Sequence, residues 1–428
     1  MTAEPTDADQ RPLSALLAQT LVAFTVELDD ELELRLAEAG HPDAHLSLVL
    51  WLNLIRLLPE SGLAIGALTA AACLPANGVR NMLACLERWR VIDFAPTLLS
   101  ASRPARTDAR IPPRRREGFG SGRGMRDDWV VHLTSRGRLA AGLWPPLIAA
   151  VEQRWGGRFG AGTIARLRTS LLAVSSAQVV PLPQGLPILG LAGEDVDLPQ
   201  RNRGDSRHPP QAPVASGTRP HSAARPSGQD LPVLLSQVLL VFAGEFNRSA
   251  PAPLTLCANA LRAIGEGTVR AGDLARLTGG SPETAGIGWQ LKPYLVIADA
   301  PAPPRGKVVR LSRRGLQAFR TYSELVRSIE RDWQVRFGRE TILALRASLE
   351  ELFRPGQDGR PLMAAGLVPP AGVARAGHQG PALGRQDVGA AARRRRRDLM
   401  VQNAAFVADP AAHLPHYPLW DINRGYGP

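Results

Sequence analysis

EQRWGGRFGAGTIARLRTSL, residues Glu152–Leu171, has a near copy in ERDWQVRFGRETILALRASL, residues Glu330–Leu349. The two stretches lie 178 positions apart, and that offset holds without a gap from Leu133–Leu171 to Leu311–Leu349. Of the 39 positions in that window 16 are identical, among them Arg136, Gly137, Glu152, Trp155, Arg158, Phe159, Gly160, Thr163, Leu167 and Arg168. The likeness continues upstream. LSALLAQTLVAFTVEL (Leu13–Leu28) aligns with LPVLLSQVLLVFAGEF (Leu231–Phe246), and LVLWLNLIRLL (48–58) aligns with LTLCANALRAI (254–264), keeping Asn53/Asn259 and Arg56/Arg262. LERWRVI (86–92) matches LKPYLVI (291–297). Each copy has the size of a domain, and the period is far too long for a solenoid. The chain therefore reads as a duplication of one whole domain. Residues 1–11 are expected to be disordered, and the first copy spans about 12–175. A Pro/Gly/Arg-rich linker follows at 176–230, the second copy at 231–354, and a low-complexity basic tail at 355–428.

Composition narrows the function classes. The chain has 428 residues and 44% hydrophobic content, enough for two cores. Cys73, Cys85 and Cys257 form no CxxC pair, so neither a disulfide framework nor a structural zinc site is indicated. MTAEPTDADQRP is polar and acidic and does not read as a signal peptide. Apolar runs fall short of the roughly 18 residues of a membrane span. A cytoplasmic, nucleoid-associated protein without a membrane partner is the expectation. The formal charge of +12 and pI near 10.8 point to a polyanionic partner, although an arginine-rich, GC-rich coding sequence would give the same balance. His413/His416 and His41/His45 have no Cys or carboxylate set beside them to hold a metal. No P-loop, dinucleotide fingerprint or nucleophile elbow occurs. GFGSGRG (118–124) lacks the strand and helix that a phosphate loop needs. The reading is of a non-enzyme without cofactors.

Within each copy the periodicity changes in a fixed order. Leu13, Leu16, Leu17, Thr20, Leu21 and Phe24 mark one helical face, and a second helix is expected over about Ser47–Leu58. A short helix begins near Ile65, and after Pro75 another runs over about Asn77–Trp89, burying Val79, Met82, Leu83 and Leu86. RVIDF and WVVHL (129–133) read as strands. A helix capped by Thr134 runs from about Ser135 to Phe159 and stops at Gly160, followed by a helix from about Gly162 to Val174. Trp155 and Phe159, like Trp333 and Phe337, share a helix face and read as packing anchors. Helix, helix, short helix, turn, helix, strand, loop, strand, helix is the order of a winged helix-turn-helix. The expected class is mainly α with small β-wings (α+β), as tandem winged helix-turn-helix domains.

LTSRGR…EQRWGGRFG and LSRRGL…ERDWQVRFG resemble the segment after the wing in MarR-like winged-helix transcriptional regulators, in their large two-copy actinobacterial form. The ending PHYPLWDINRGYGP is similar to a degraded form of the C-terminus of that group. The resemblance implies a DNA-binding regulator with a small lipophilic effector. It also implies a clasp of terminal helices, made here as an intrachain pseudo-dimer, with homodimers also formed in the family.

The candidate contacts to double-stranded DNA follow from that order. The first recognition helix exposes Asn77, Arg80, Asn81 and Arg88, residue types that suit guanine and adenine edges. A solvated helix face would look the same. The first wing, about 95–128, carries Arg103, Arg106, Arg110, Arg114, Arg115, Arg116, Arg123 and Arg126, suited to phosphates or a minor groove. In the second copy, SPETAGIGWQLK (281–292) is expected to be a helix with Ser281 as cap, yet Gly286 and Gly288 weaken it. Its contacts reduce to Gln290 and Lys292, with Arg305 and Lys307 on a compact wing. The alternative is a protein-interaction module with a degenerate winged-helix fold that has lost sequence-specific DNA reading.

Overall fold

The computed structural model describes residues 11–38, 48–95, 124–186, 230–279, 290–300, 306–368 and 404–418. The architecture is mainly helical with two small antiparallel three-stranded sheets, an α+β chain. The first copy contains α1 (Leu13–Glu38), α2 (Leu48–Asn53), β1 (Leu63–Ala64), α3 (Ile65–Ala72) and α4 (Ala76–Arg88). It continues with β2 (Ile92–Ala95), β3 (Val130–Leu133), α5 (Ser135–Phe159) and α6 (Ala161–Ser176). The second copy begins with α7 (Leu231–Ser249), α8 (Leu254–Leu256), a π turn over Cys257–Leu261 and α9 (Arg262–Ile264). β4 (Thr268–Arg270), α10 (Leu274–Thr278), β5 (Leu295–Asp299), β6 (Lys307–Leu311), α11 (Arg313–Phe337) and α12 (Arg339–Glu351) complete it, and α13 (Ala364–Leu367) follows. No described helix is long and apolar enough to cross a membrane.

The sheets have the same construction. Their orders are β1-β3-β2 and β4-β6-β5, with Ile92 opposite Leu133 and Leu295 opposite Leu311. The repeated Leu-Thr/Ser-x-Arg-Gly stretch explains how each sheet hands over to a long helix. Thr134 Oγ1 accepts from the Gly137 amide and Ser312 Oγ from the Gly315 amide, both at 3.2 Å, the geometry of an N-cap. The same hydroxyls donate backwards, Thr134 to Arg90 O at 2.8 Å and Ser312 to Pro293 O at 3.0 Å. Gly137 and Gly315 lie against the carbonyls of Val91 and Tyr294, where a Cβ would overlap the oxygen. Gly160 (φ 89°) and Gly338 (φ 91°) each end one helix and start the next in a conformation that favours glycine.

Two expected helices differ. The second does not run unbroken over 47–58: α2 ends at Asn53 and the chain tightens into a 3-10 turn at Ile55–Leu57. Asn53 turns its amide outward to Leu186 O at 3.3 Å, at the point of the break. The expected helix over 281–292 lies mostly outside the described residues. Its end is not α-helical, because Gln290 is in a turn and Lys292 opens the 3-10 turn Lys292–Tyr294, where Pro293 has no amide to continue an α-helix.

α1 is buried on almost every side from Leu13 to Leu32. It packs on α5 of its own copy and on α7, α11, α12 and α13, while α7 packs on α6 and α11 and α6 packs on α12. The repeated twenty residues build this contact. Trp155 and Trp333, both fully buried, meet Phe24 at 5.0 Å and Phe242 at 5.2 Å between ring centroids. Their indole N–H groups donate to Glu27 at 2.9 Å and Glu245 at 2.8 Å, carboxylates that also receive Arg158 and Arg336. Glu152 accepts from the Leu231 amide at 2.9 Å and Glu330 from the Leu13 amide at 2.7 Å, so each caps the first helix of the other copy. Arg168 at 2.6 Å and Arg346, respectively, hold these carboxylates in place.

Replacing Glu330 by Ala removes an acceptor from the Leu13 amide and the main partner of a mostly buried Arg346. Arg346 keeps Arg11 O and Glu350, so the expected cost is about 2–3 kcal/mol, at the lower end for a broken buried pair. A lowered urea midpoint checks this, with exposed Glu324→Ala changing it by no more than about 0.5 kcal/mol.

His416, in the last described segment, is buried with the guanidinium groups of Arg262 and Arg11 facing it, and burial first, then these charges, push its pKa down to about 3. Released from its seat, the imidazole would titrate near 6.5. The seated form therefore binds fewer protons, so its stability is full above about pH 6.5 and declines by up to about 1.4 kcal/mol per unit below it. Amide exchange at Tyr417 between pH 7 and 5 should accelerate beyond the intrinsic pH trend, and His416→Gln should abolish the excess.

Candidate nucleic-acid interface

α4 buries Val79, Met82, Leu83 and Leu86 and leaves Asn77, Asn81 and Arg88 exposed. With Ala84, these positions fall at i, i+4, i+7 and i+11, one stripe along the helix. α4 follows α3 through a tight turn made by Cys73 in the left-handed conformation (φ 52°) and Pro75. Polar side chains on the outer face of a helix set after such a turn can meet base edges or phosphates.

Arg80 stands apart from that stripe. Its guanidinium donates to Asp127 at 2.6 Å. The Asp127 carbonyl in turn accepts from the Gly66 amide at 2.9 Å, and Ile65 donates to Trp129 O at 2.9 Å. Arg80 therefore braces α4 against the start of α3 and the strand entering β3, and is only partly presented to solvent. Arg88 is exposed and reaches Cys85 Sγ at 3.5 Å. Glu87 lies beside it, its pKa raised first by burial and then by the neighbouring Asp93 carboxylate.

The β2–β3 hairpin pairs Ala95 with Val130, and the chain between them is described again from Gly124. Arg103, Arg106, Arg110, Arg114, Arg115, Arg116 and Arg123 lie outside the described residues. Arg126 is exposed and forks onto Asp128 at 2.9 and 2.8 Å, a contact that holds the Asp128 carboxyl below the usual range. In sequence the basic stretch lies between Ala95, at the end of β2, and Gly124, three residues before Asp127, the partner of Arg80.

The second copy places fewer candidates together. Gln290 is half-buried in a turn, and Lys292 is exposed at the start of a 3-10 turn. Lys307 lies on β6 and pairs across the hairpin with Asp299 at 2.8 Å, and Arg305 lies outside the described residues. Among the described residues no group of three or more His, Cys, Asp or Glu is arranged to hold a metal ion.

The pairing of Arg80, Arg126 and Lys307 with carboxylates is a feature the residue types alone did not disclose. The signal was present for two of them, since Arg126/Asp128 are two apart in sequence and Asp299/Lys307 flank a short hairpin. Asp127 has no such local relation to Arg80.

Freeing Arg80 separates its two candidate roles. Asp127→Asn keeps shape and removes charge; as a brace, the pair's loss should lower the melting temperature and raise amide exchange at Gly66, whereas a dispensable surface pair would leave both unchanged. No protein-family model, curated protein or solved structure matches the chain.

Proposed function

We propose that the chain is a DNA-binding transcriptional regulator built from two winged helix-turn-helix units. The observation that carries this reading is α4 itself. Its polar stripe of Asn77, Asn81 and Arg88 faces outward beside the hairpin from which the arginine-rich stretch departs. In this reading α3 and α4 form the helix-turn-helix, α4 enters the major groove, and the basic stretch follows phosphates or an adjacent minor groove. The second unit contributes less base reading, because Lys292 sits at the start of a 3-10 turn and Lys307 is occupied by Asp299. The interlocked first and last helices of the two copies act as an intrachain pseudo-dimer that sets the spacing of the two units. A small lipophilic effector fits the same MarR-like reading.

A protein-interaction module is the second reading, favoured by the carboxylates already paired with Arg80, Arg126 and Lys307. Selection of genomic fragments by the purified chain at two salt concentrations separates the two. A regulator enriches a defined sequence, and its affinity falls with salt at a log–log slope of roughly −0.9 per phosphate contacted. Asn77→Ala and Asn81→Ala should each cost about 1–3 kcal/mol on the enriched site and little on random DNA. Retention without enrichment would mean coating through the basic stretch alone. No retention at low salt would leave the interaction module.

A further inference from the structure

Two Pro-containing segments of the chain are held in matching grooves. In the first, Gln237 on α7 donates to Pro183 O at 3.3 Å, Ser236 donates to Gly185 O at 2.6 Å and Asn53 donates to Leu186 O at 3.3 Å. In the second, Gln19 on α1 donates to Leu414 O at 3.0 Å and to Ala411 O at 2.9 Å. There Asn259 donates to Tyr417 O at 2.8 Å and accepts from the Tyr417 amide at 3.1 Å. Gln19 and Gln237 occupy the same position of the repeat, as do Asn53 and Asn259. In each groove a glutamine from one copy and an asparagine from the other hold backbone groups three residues apart. PQGLP and LPHYP, residues 183–187 and 414–418, share little sequence beyond the closing proline, so what the grooves have in common is a clamp on the backbone of a bent segment.

The occupants differ in how they are tethered and seated. Only residues 177–182 separate α6 from the first, whereas residues 368–410 separate α13 from the second. A longer tether lowers the effective concentration of a segment at its seat. The second occupant also carries an unpaired polar atom of its own. Burial of His416 leaves its Nδ1 without a hydrogen-bond partner, beside the cations Arg262 and Arg11, and a buried unpaired polar atom weakens the state that buries it. Leu414, Tyr417 and Phe406 supply the apolar burial that holds it in place.

We propose that the groove between Gln19 and Asn259 is a peptide-binding site whose occupant, the segment 411–418 of this chain, is exchangeable. The segment works as a latch: it leaves and re-enters its seat while the helical core stays folded. Its seat lies against the end of α10, where Gly279 (φ 66°) abuts His413 O and Pro415 closely enough that a Cβ would overlap the carbonyl. Release of the latch therefore uncovers the turn after α10. This inference does not depend on the DNA-binding reading.

Two measurements on the full chain test it. In native amide exchange, Tyr417 should exchange at least about tenfold faster than Leu239 in the core of α7, by a local opening. Exchange of Tyr417 only together with α7 would overturn the proposal. In the second, a fluorescent peptide of residues 404–418 is titrated into full-length Tyr417→Asp protein, whose own segment cannot seat and whose fold is checked by circular dichroism. Saturable binding is expected, at least about tenfold tighter than to the unaltered chain. Adding Asn259→Ala should weaken it at least about tenfold, and adding Asn53→Ala should leave it unchanged. A folded Tyr417→Asp chain that ignores the peptide, or binds it regardless of Asn259, would overturn the assignment.

Discussion

Two carboxylates on which the interlock of the copies depends, Glu152 and Glu330, are each spent on the opposite copy. The first amides of any helix lack intrahelical acceptors, and a helix N-terminus favours negative charge. Here Glu152 on α5 supplies that charge to α7, and Glu330 on α11 supplies it to α1. The arginine that fixes each carboxylate comes from the following helix, α6 or α12. One side chain thus ties three helices drawn from both copies, and the arrangement is reciprocal. This accounts for the identity of Glu152, Trp155, Arg158, Gly160 and Arg168 with their counterparts. Glutamate caps the partner, tryptophan and the first arginine hold the glutamate at position 27 or 245, glycine turns the chain, and the second arginine closes the pair. A copy separated from its partner would expose the apolar faces of α1 or α7 and leave the Leu13 or Leu231 amide without its glutamate acceptor.

Reciprocity does not make the copies equal. α1 runs on to Glu38 and buries Asp29, Asp30 and Glu31 where α7 exposes Asn247, Arg248 and Ser249, and Glu31 there takes Arg154 and Arg35. The helix interruption at the shared asparagine is a 3-10 turn in one copy and a π turn in the other. Arg56 and Arg262 both fold back onto a carbonyl four residues earlier, and burial lowers the pKa of both guanidinium groups, that of Arg56 to about 10. The shared residues preserve the connection between copies, while these differences lie in buried parts of each copy. That is the pattern of a duplicated unit kept for assembly, with each half repacked around the shared connection.

The elements with a local physical cause were legible in the sequence. Thr134, Gly137 and Gly160 announce the start and stop of α5 by residue type, and the spacing of Val79, Met82, Leu83 and Leu86 locates the buried face of α4. β1 and β4 were not legible, because strands of two and three residues carry no alternation and exist only by pairing with β3 and β6. The end of the expected 281–292 helix was misread because it was carried up to Lys292, the residue before Pro293, a position that disfavours the α conformation. The matching pairs Asn53/Asn259 and Gln19/Gln237 were visible as identities, but their partners are carbonyls of distant segments that periodicity cannot find. The same holds for Arg80: polar, on a helix, after a turn, it reads as outward until Asp127 is placed beside it.

That last case bears on what the basic charge means. A formal charge of +12 invites a search for a cationic face, yet many arginines of the described fold are already neutralised in place. Arg168 and Arg346 hold the carboxylates that cap the opposite copy, Arg154, Arg158 and Arg336 tie helices within a copy, and Arg80 and Arg126 hold the hairpin base. Guanidinium groups committed to buried or bracing carboxylates add little to the field felt by a distant polyanion, because each pair is nearly a dipole and falls off faster than a charge. Attraction for a polyanion must therefore come from cations outside these pairs: Arg103–Arg123, the run Arg393–Arg397 and exposed arginines of the fold such as Arg136, Arg310, Arg313 and Arg339. The folded hairpin also contributes position, because it fixes Ala95 and Gly124, between which the first of those stretches lies in sequence. A sequence-reading role would then rest on neutral Asn77 and Asn81, whose amides discriminate by geometry, while the arginines of the adjoining stretch supply affinity without discrimination.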